Sequence, residues 1–148
     1  MCAARSVVFN GFRSGLIWGE THDGNSHHAG GTAGNAGLFA TARDVFRIAQ
    51  AFATGRLVPQ EVVSQAIVNQ TPNLGEGRAF GWQSAGSGPA TGMLSSAAYG
   101  HTGFTGTSVW IEPEREKIMV LLTNRVHPCA SPVAMQGIRG EFHRLALA

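Results

Sequence analysis

The chain has 148 residues, 43% hydrophobic and 14% charged, with 11 basic against 9 acidic residues for a net charge of +2. That length and apolar content suit a single globular domain with a sizeable core and argue against disorder, the charged fraction being well below the usual ~25%. The balanced charge, with no basic stripe interleaved with aromatics, excludes a nucleic-acid footprint, and the longest apolar run, Ile118 to Leu122, is far short of the ~20 residues of a membrane span.

Met1 to Phe39 holds scattered apolar residues, no usable period and five glycines between Gly24 and Gly37. It reads as a long glycine-rich loop region, and loops of that length are usually functional. No apolar signal-peptide core follows Arg5, so the chain reads as soluble and untargeted. Thr41 then looks like a helix N-cap with Asp44 in the first turn. Val45, Ile48, Ala49 and Phe52 recur at helical spacing until Gly55, predicting a helix over Ala42 to Thr54. Pro59 opens a second helix with Val62, Val63, Ala66 and Ile67 on one face, ending near Thr71 and Pro72, so that residues 40–72 form a helical hairpin.

Ala79 to Gln83 reads as a short strand, followed by a Gly/Ser/Pro/Ala-rich linker to Ala98. Ser108 to Ile111 and Ile118 to Thr123 are β-rich runs flanking the charged turn Glu112 to Lys117, and predict an antiparallel hairpin. The second run is apolar on both faces and should be central or covered by helices. A last helix from Pro132 to Leu147 would bury Val133, Ile138, Phe142 and Leu145, with Gly137 and Gly140 each weakening it by roughly 1 kcal/mol.

The run Tyr99-Gly100-His101-Thr102-Gly103-Phe104-Thr105-Gly106-Thr107 is the candidate site. From Ala79 through Ile111 there is no Asp, Glu, Lys or Arg, so His101 is the one side chain there that changes charge near neutral pH. Glycines in a strand that precedes a hairpin suit a backbone approached closely by something else, such as a substrate. A structural histidine bonded to backbone, and a tight bulge at Thr102, Gly103, Thr105 and Gly106, are the plainer alternatives.

The segment YGHTGFTGTSVWIEPEREKIMVLLTNRVHP resembles the C-terminal part of the penicillin-recognising serine hydrolases: β-lactamases, DD-peptidases and β-lactamase-like esterases. Their third signature is Lys-Thr-Gly or His-Thr-Gly on an edge strand, followed by a hairpin with a strongly apolar far strand. Gly37 to Asp44, opening a helix, and the stretch HDGNSHHAGGTAGN also resemble family segments, so the likeness runs from about Gly19 to Pro128. It implies an α+β, β-lactamase/transpeptidase-like fold in incomplete form: one partial domain over residues 1–148, with the loop region at 1–39, a small helical lobe at 40–72, and an antiparallel sheet with a C-terminal helix at 78–148. It implies a small-molecule or peptide acyl substrate, no cofactor and no metal. His101 would support proton transfer or substrate placement, Thr102 would offer a hydroxyl to a polar group, Gly103 would let the substrate come close, and the Phe104 amide would supply an oxyanion donor. Histidine in the lysine position weakens the fixed positive charge and favours esters or peptides over carboxylate-bearing antibiotics.

The sequence departs from the family in two motifs. Family members carry a Ser-x-x-Lys, with Ser as nucleophile, and a Tyr-x-Asn. Here the single lysine is Lys117, with Glu114 three residues before it, and the single tyrosine, Tyr99, leads into Gly100 and His101. Without an activated nucleophile, covalent acyl transfer has no first step. Ser95, Ser96 and Ser108 lie near the motif outside any Gly-x-Ser-x-Gly elbow, and Cys129 lies near His127. Cys2 and Cys129, the only cysteines, read as two independent thiols.

His22, Asp23, His27 and His28 raise a loop metal site, without helical or zinc-finger spacing, and the resemblance places them at a pocket rim instead. Glu20 with Asp23 as a glycosidase pair has nothing to fix its carboxylate separation. The leading expectation is thus the C-terminal portion of a serine acyl hydrolase, completed by an N-terminal segment or self-associating through an exposed apolar sheet edge. A non-catalytic binding module that keeps the cleft is the alternative.

Overall fold

The computed structural model describes residue 13 and residues 16–85, 92–126 and 134–148. Cys2, Cys129, His127 and Val133 lie outside the described residues. The chain forms two compact units, residues 1–40 with 124–133, and residues 41–123 with 134–148.

In the first unit the described backbone is mostly irregular, with one short helix, α1 (Gly24–His28), capped by Asp23. The Asp23 carboxylate accepts from the Ser26 amide at 2.7 Å and from Asn35 Nδ2 at 3.2 Å. The Ser26 hydroxyl is buried and donates to the Ala36 carbonyl at 3.0 Å, closing the glycine-rich loop on itself. Gly37, at φ +104°, sits where a Cβ would press on Thr21 Oγ1, Ser26 Oγ and the Gly31 carbonyl.

The second unit is α+β. It contains α2 (Ala42–Ala53), α3 (Gln60–Ala66), β1 (Gln83–Ser84), β2 (Tyr99–Thr102), β3 (Ser108–Glu112), a 3₁₀ turn (Pro113–Arg115), β4 (Lys117–Leu121) and α4 (Met135–Leu147). The strands form one antiparallel sheet in the order β1-β2-β3-β4. Because side chains alternate across a strand, β3 sends Val109 and Ile111 to one face and Trp110 to the other. On the first face Ile111 packs with Tyr99, Ile118 and the α2 residues Ala49, Phe52 and Ala53. On the second, Trp110 and Met119 pack with Ala85, Ala98 and the α4 residues Phe142, Ala146 and Leu147. The sheet is therefore a middle layer between α2 and α4. Among the described residues β4 lies at its margin, and helices cover both faces of that strand, which accounts for its apolar sequence from Ile118 onward.

Helix α2 follows the expected caps: Thr41 Oγ1 accepts from the Asp44 amide, and the helix ends before Gly55, whose φ is +69°. Three expectations need correction. The second helix stops at Ala66 rather than near Thr71, because Asn69 Oδ1 accepts from the amides of Thr71 and Arg78, and Thr71 Oγ1 from that of Arg78, offering the backbone a loop in place of further helix. Ala79 to Trp82 is a turn, not a strand; the Ala79 amide bonds the Trp82 carbonyl and Gly81 adopts φ +77°, so pairing begins only at Gln83. The inward face of α4 includes the expected Phe142 but also Met135, Arg139 and His143, whereas Ile138 and Leu145 are exposed. The polar residues at four-residue spacing face the sheet because its near end presents backbone carbonyls and an indole rather than a purely aliphatic surface.

Candidate functional site

Strand β2 carries His101 and Thr102, held on one side by β3 in the register His101↔Val109 and Thr102↔Ser108. On its other side β1 reaches only Tyr99 and Gly100. Among the described residues of this unit, the second half of β2 has no strand neighbour on that side. Tyr99 points into the core against Trp82 and Phe52, with ring centroids 5.3 and 6.3 Å away, and burial pushes its hydroxyl above its ordinary pKa. Gly100 is required by packing, since a Cβ there would collide with the Val109 carbonyl and the Trp110 indole. His101 is exposed, and its Nδ1 lies 2.8 Å from the Thr102 carbonyl. The tautomer that makes this bond carries its proton on Nδ1 and leaves Nε2 as an acceptor.

Beyond Thr102 the chain turns through a tight loop at residues 103–107. The Gly103 amide donates to the Thr107 carbonyl at 2.8 Å, and the Gly106 amide to the Gly103 carbonyl at 3.0 Å. A Cβ on Gly103 would meet the Thr107 hydroxyl, a side-chain atom, and no backbone atom closer than ordinary contact. Gly106 adopts φ +100° and is buried against Thr123 and Met135. Phe104 at the loop tip is 62% exposed.

The loop is anchored from beneath. Thr123 Oγ1 donates to the Thr105 carbonyl at 3.1 Å. Arg139, a residue 8% exposed, reaches up from α4, and its guanidinium donates to the carbonyls of Gly103 at 3.0 Å, Gly106 at 3.2 Å and Thr107 at 3.0 Å. Carbonyls of Gly103, Thr105, Gly106 and Thr107 are thus all engaged by the body of the unit. The sequence reading missed Arg139 because it traced the apolar residues of the last helix. The usable signal was the spacing of Met135, Arg139 and His143, which puts a cation and an imidazole on one face.

Ser95 Oγ donates to Glu112 Oε1 at 2.7 Å and fastens the linker to β3; Ser96 is exposed; Ser108 is buried within β3. In the first unit Asp23 is occupied as the helix cap, and Glu20 lies 3.5 Å from His27 Nδ1. Among the described residues, no group of three or more His, Cys, Asp or Glu is arranged to hold a metal ion, and no helix is long and apolar enough to cross a membrane.

A family model described as Beta-lactamase matches residues 10–139. Proteins named "Putative D-alanyl-D-alanine carboxypeptidase" from Salmonella agona (strain SL483), Salmonella enteritidis PT4 and Salmonella paratyphi B are each 33% identical to this chain, over 85% of it and 32% of their own length. The chain spans about a third of the length of these relatives. A family match across most of the sequence and relatives 33% identical over 85% of it lead to one conclusion: the chain belongs to the β-lactamase family, of the β-lactamase-like and penicillin-binding-protein-like superfamily.

Proposed function

We propose that this chain provides the substrate-binding wall of a serine acyl hydrolase, with the Ser-x-x-Lys nucleophile supplied by another segment, either upstream in a longer protein or in trans. The observation that carries the reading is the half of β2 at His101 and Thr102 that β1 leaves without a neighbour, directly before an anchored loop. An acyl substrate lying along that edge would meet the Thr102 hydroxyl and the imidazole of His101. Nε2 of His101 is the acceptor that would take or relay a proton. The Phe104 amide would donate to the oxyanion as the carbonyl becomes tetrahedral. The names of the relatives make a peptide ending in D-alanyl-D-alanine the first substrate to test. In this reading the fold is one part of a β-lactamase-like domain, and an N-terminal segment, or a second copy, pairs along the β4 margin.

Labelling with a fluorescent penicillin or a fluorophosphonate tests this. The 148-residue chain alone should take up neither reagent, and should be part of a labelled complex when co-expressed with a Ser-x-x-Lys-bearing N-terminal segment taken from one of the relatives. Labelling of the isolated chain would overturn the requirement for an external nucleophile. The absence of Ser-x-x-Lys from the sequence also favours a second reading, a binding module without turnover. Saturable peptide binding that depends on His101 and Thr102, with no labelling in either arm, would select it.

A further inference from the structure

We infer that Arg139 is a positioning residue that sets the direction of the Phe104 N–H. The inference rests on the reading of residues 101–104 as an acyl-binding site and adds a group that the family motif does not contain. In a trans peptide the carbonyl of one residue and the amide of the next point in opposite directions. Arg139 holds the Gly103 carbonyl at 3.0 Å from below the loop, so the Phe104 N–H of the same peptide unit is turned away from Arg139 and α4. The two further bonds, to Gly106 and Thr107, stop that unit from rotating, because they fix the other end of the same short loop.

Charge and shape both suit the task. A guanidinium is planar, stays charged at all relevant pH values and presents several donors in fixed directions, so one side chain serves three carbonyls that a lysine ammonium could not serve in the same geometry. Its burial at 8% exposure makes these bonds hard for water to replace. An oxyanion donor is effective only when preorganised, since reorientation during the reaction forfeits its stabilisation. Arg139 supplies that preorganisation without touching the substrate. One turn along the helix, His143 is buried, and its burial first and the Arg139 charge second disfavour a further positive charge on this face.

The test uses the full chain with Arg139→Met, Arg139→Lys and, as a surface control, Arg144→Met, whose side chain pairs with exposed Glu141. Amide hydrogen exchange without ligand should quicken about tenfold or more at Gly103 and Gly106 in Arg139→Met, the fold-change expected for loss of a net hydrogen bond. Amides of Val109 and Met119 in the sheet should keep their rates. Titration with an N-acetylated D-alanyl-D-alanine dipeptide should shift the Phe104 amide resonance in the parent and in Arg144→Met, and should lose that shift, with about tenfold weaker binding, in Arg139→Met. Arg139→Lys should fall between them, and decides the matter if the methionine variant does not fold. Unchanged loop exchange, equal loosening of loop and sheet, or undiminished binding by Arg139→Met would each overturn the assignment. A parent chain that binds no dipeptide would instead remove the acyl-substrate reading, while the ligand-free exchange still decides whether Arg139 sets the loop.

Discussion

Ser95 and Glu112 are 17 residues apart in sequence and bonded twice: the Ser95 amide donates to Glu112 Oε2 and the hydroxyl to Oε1, each at 2.7 Å. Glu112 is fully buried, and the Glu114 amide and the Arg115 guanidinium, 3.6 Å away, complete its surroundings. This carboxylate ends β3 and at the same time ties down the linker that leads into β2, so it helps fix where Tyr99 begins the site strand.

The pair gives a signed expectation for acid. Burial pushes the Glu112 carboxyl up, but the Ser95 hydroxyl, the Ser95 and Glu114 amides and Arg115 together outweigh it and hold the group below the usual carboxylate range. A folded-state value below the unfolded one stabilises the fold at pH above the ordinary carboxylate value, and that contribution is lost as pH falls through the folded value. Ser95→Ala should cost about 1–3 kcal/mol near neutral pH, the cost of leaving a buried acceptor short of a donor. It should also flatten the acid limb of a stability-against-pH curve measured by urea titration. A variant as stable as the parent at neutral pH would show that the linker needs no such fastening.

Glu116 is the one non-glycine among the described residues with positive φ, at 52°. It closes the 3₁₀ turn between β3 and β4, its amide bonded to the Pro113 carbonyl at 3.2 Å. The left-handed region costs an ordinary side chain roughly 1–2 kcal/mol, offset in part by the extra unfolded-state freedom a glycine brings. Glu116→Gly should therefore raise stability by up to about 1 kcal/mol, read as a shift in the denaturation midpoint with unchanged slope. A loss of stability would mean that the Glu116 side chain makes up the strain.

Much of this was legible in the residues because local rules and tertiary demands agree there. Thr41, Asp44 and Gly55 mark the ends of α2, and the unbroken apolar run that starts at Ile118 marks a strand covered on both faces. His101 and Thr102 end β2, and Gly103 and Phe104 begin its loop; the motif implied an edge strand, and β1 lies beside the first half of β2. The failures share one cause: a polar side chain or a glycine bonded to a distant or irregular backbone. Asn69 and Thr71 end a helix that apolar spacing would have continued, and Gly81 turns the chain where a strand was expected. Arg139 is the largest miss. Its value depends on three carbonyls more than thirty residues earlier, a relationship that periodicity does not encode.

His143 lies under the sheet with no exposed surface, edge-on to Trp110 at 6.4 Å between ring centroids. Neither ring nitrogen has a hydrogen-bond partner among the described residues. Burial chiefly, and nearby Arg139 secondarily, push its pKa below the ordinary histidine value. The fold thus holds a neutral imidazole, and the sign runs as for any group whose folded value is depressed. Stability is fully present above the unfolded value of about 6.5 and is lost as pH falls toward the folded value, when the unfolded chain takes up a proton that the core resists. His143→Phe replaces an unpaired polar ring by an apolar one of similar outline, so its cost near pH 8 should stay within about 1.5 kcal/mol. Between roughly pH 7 and pH 5 its melting temperature should fall less than that of the parent. Parallel curves for the two proteins would show that protonation of His143 does not limit the packing of α4 on the sheet.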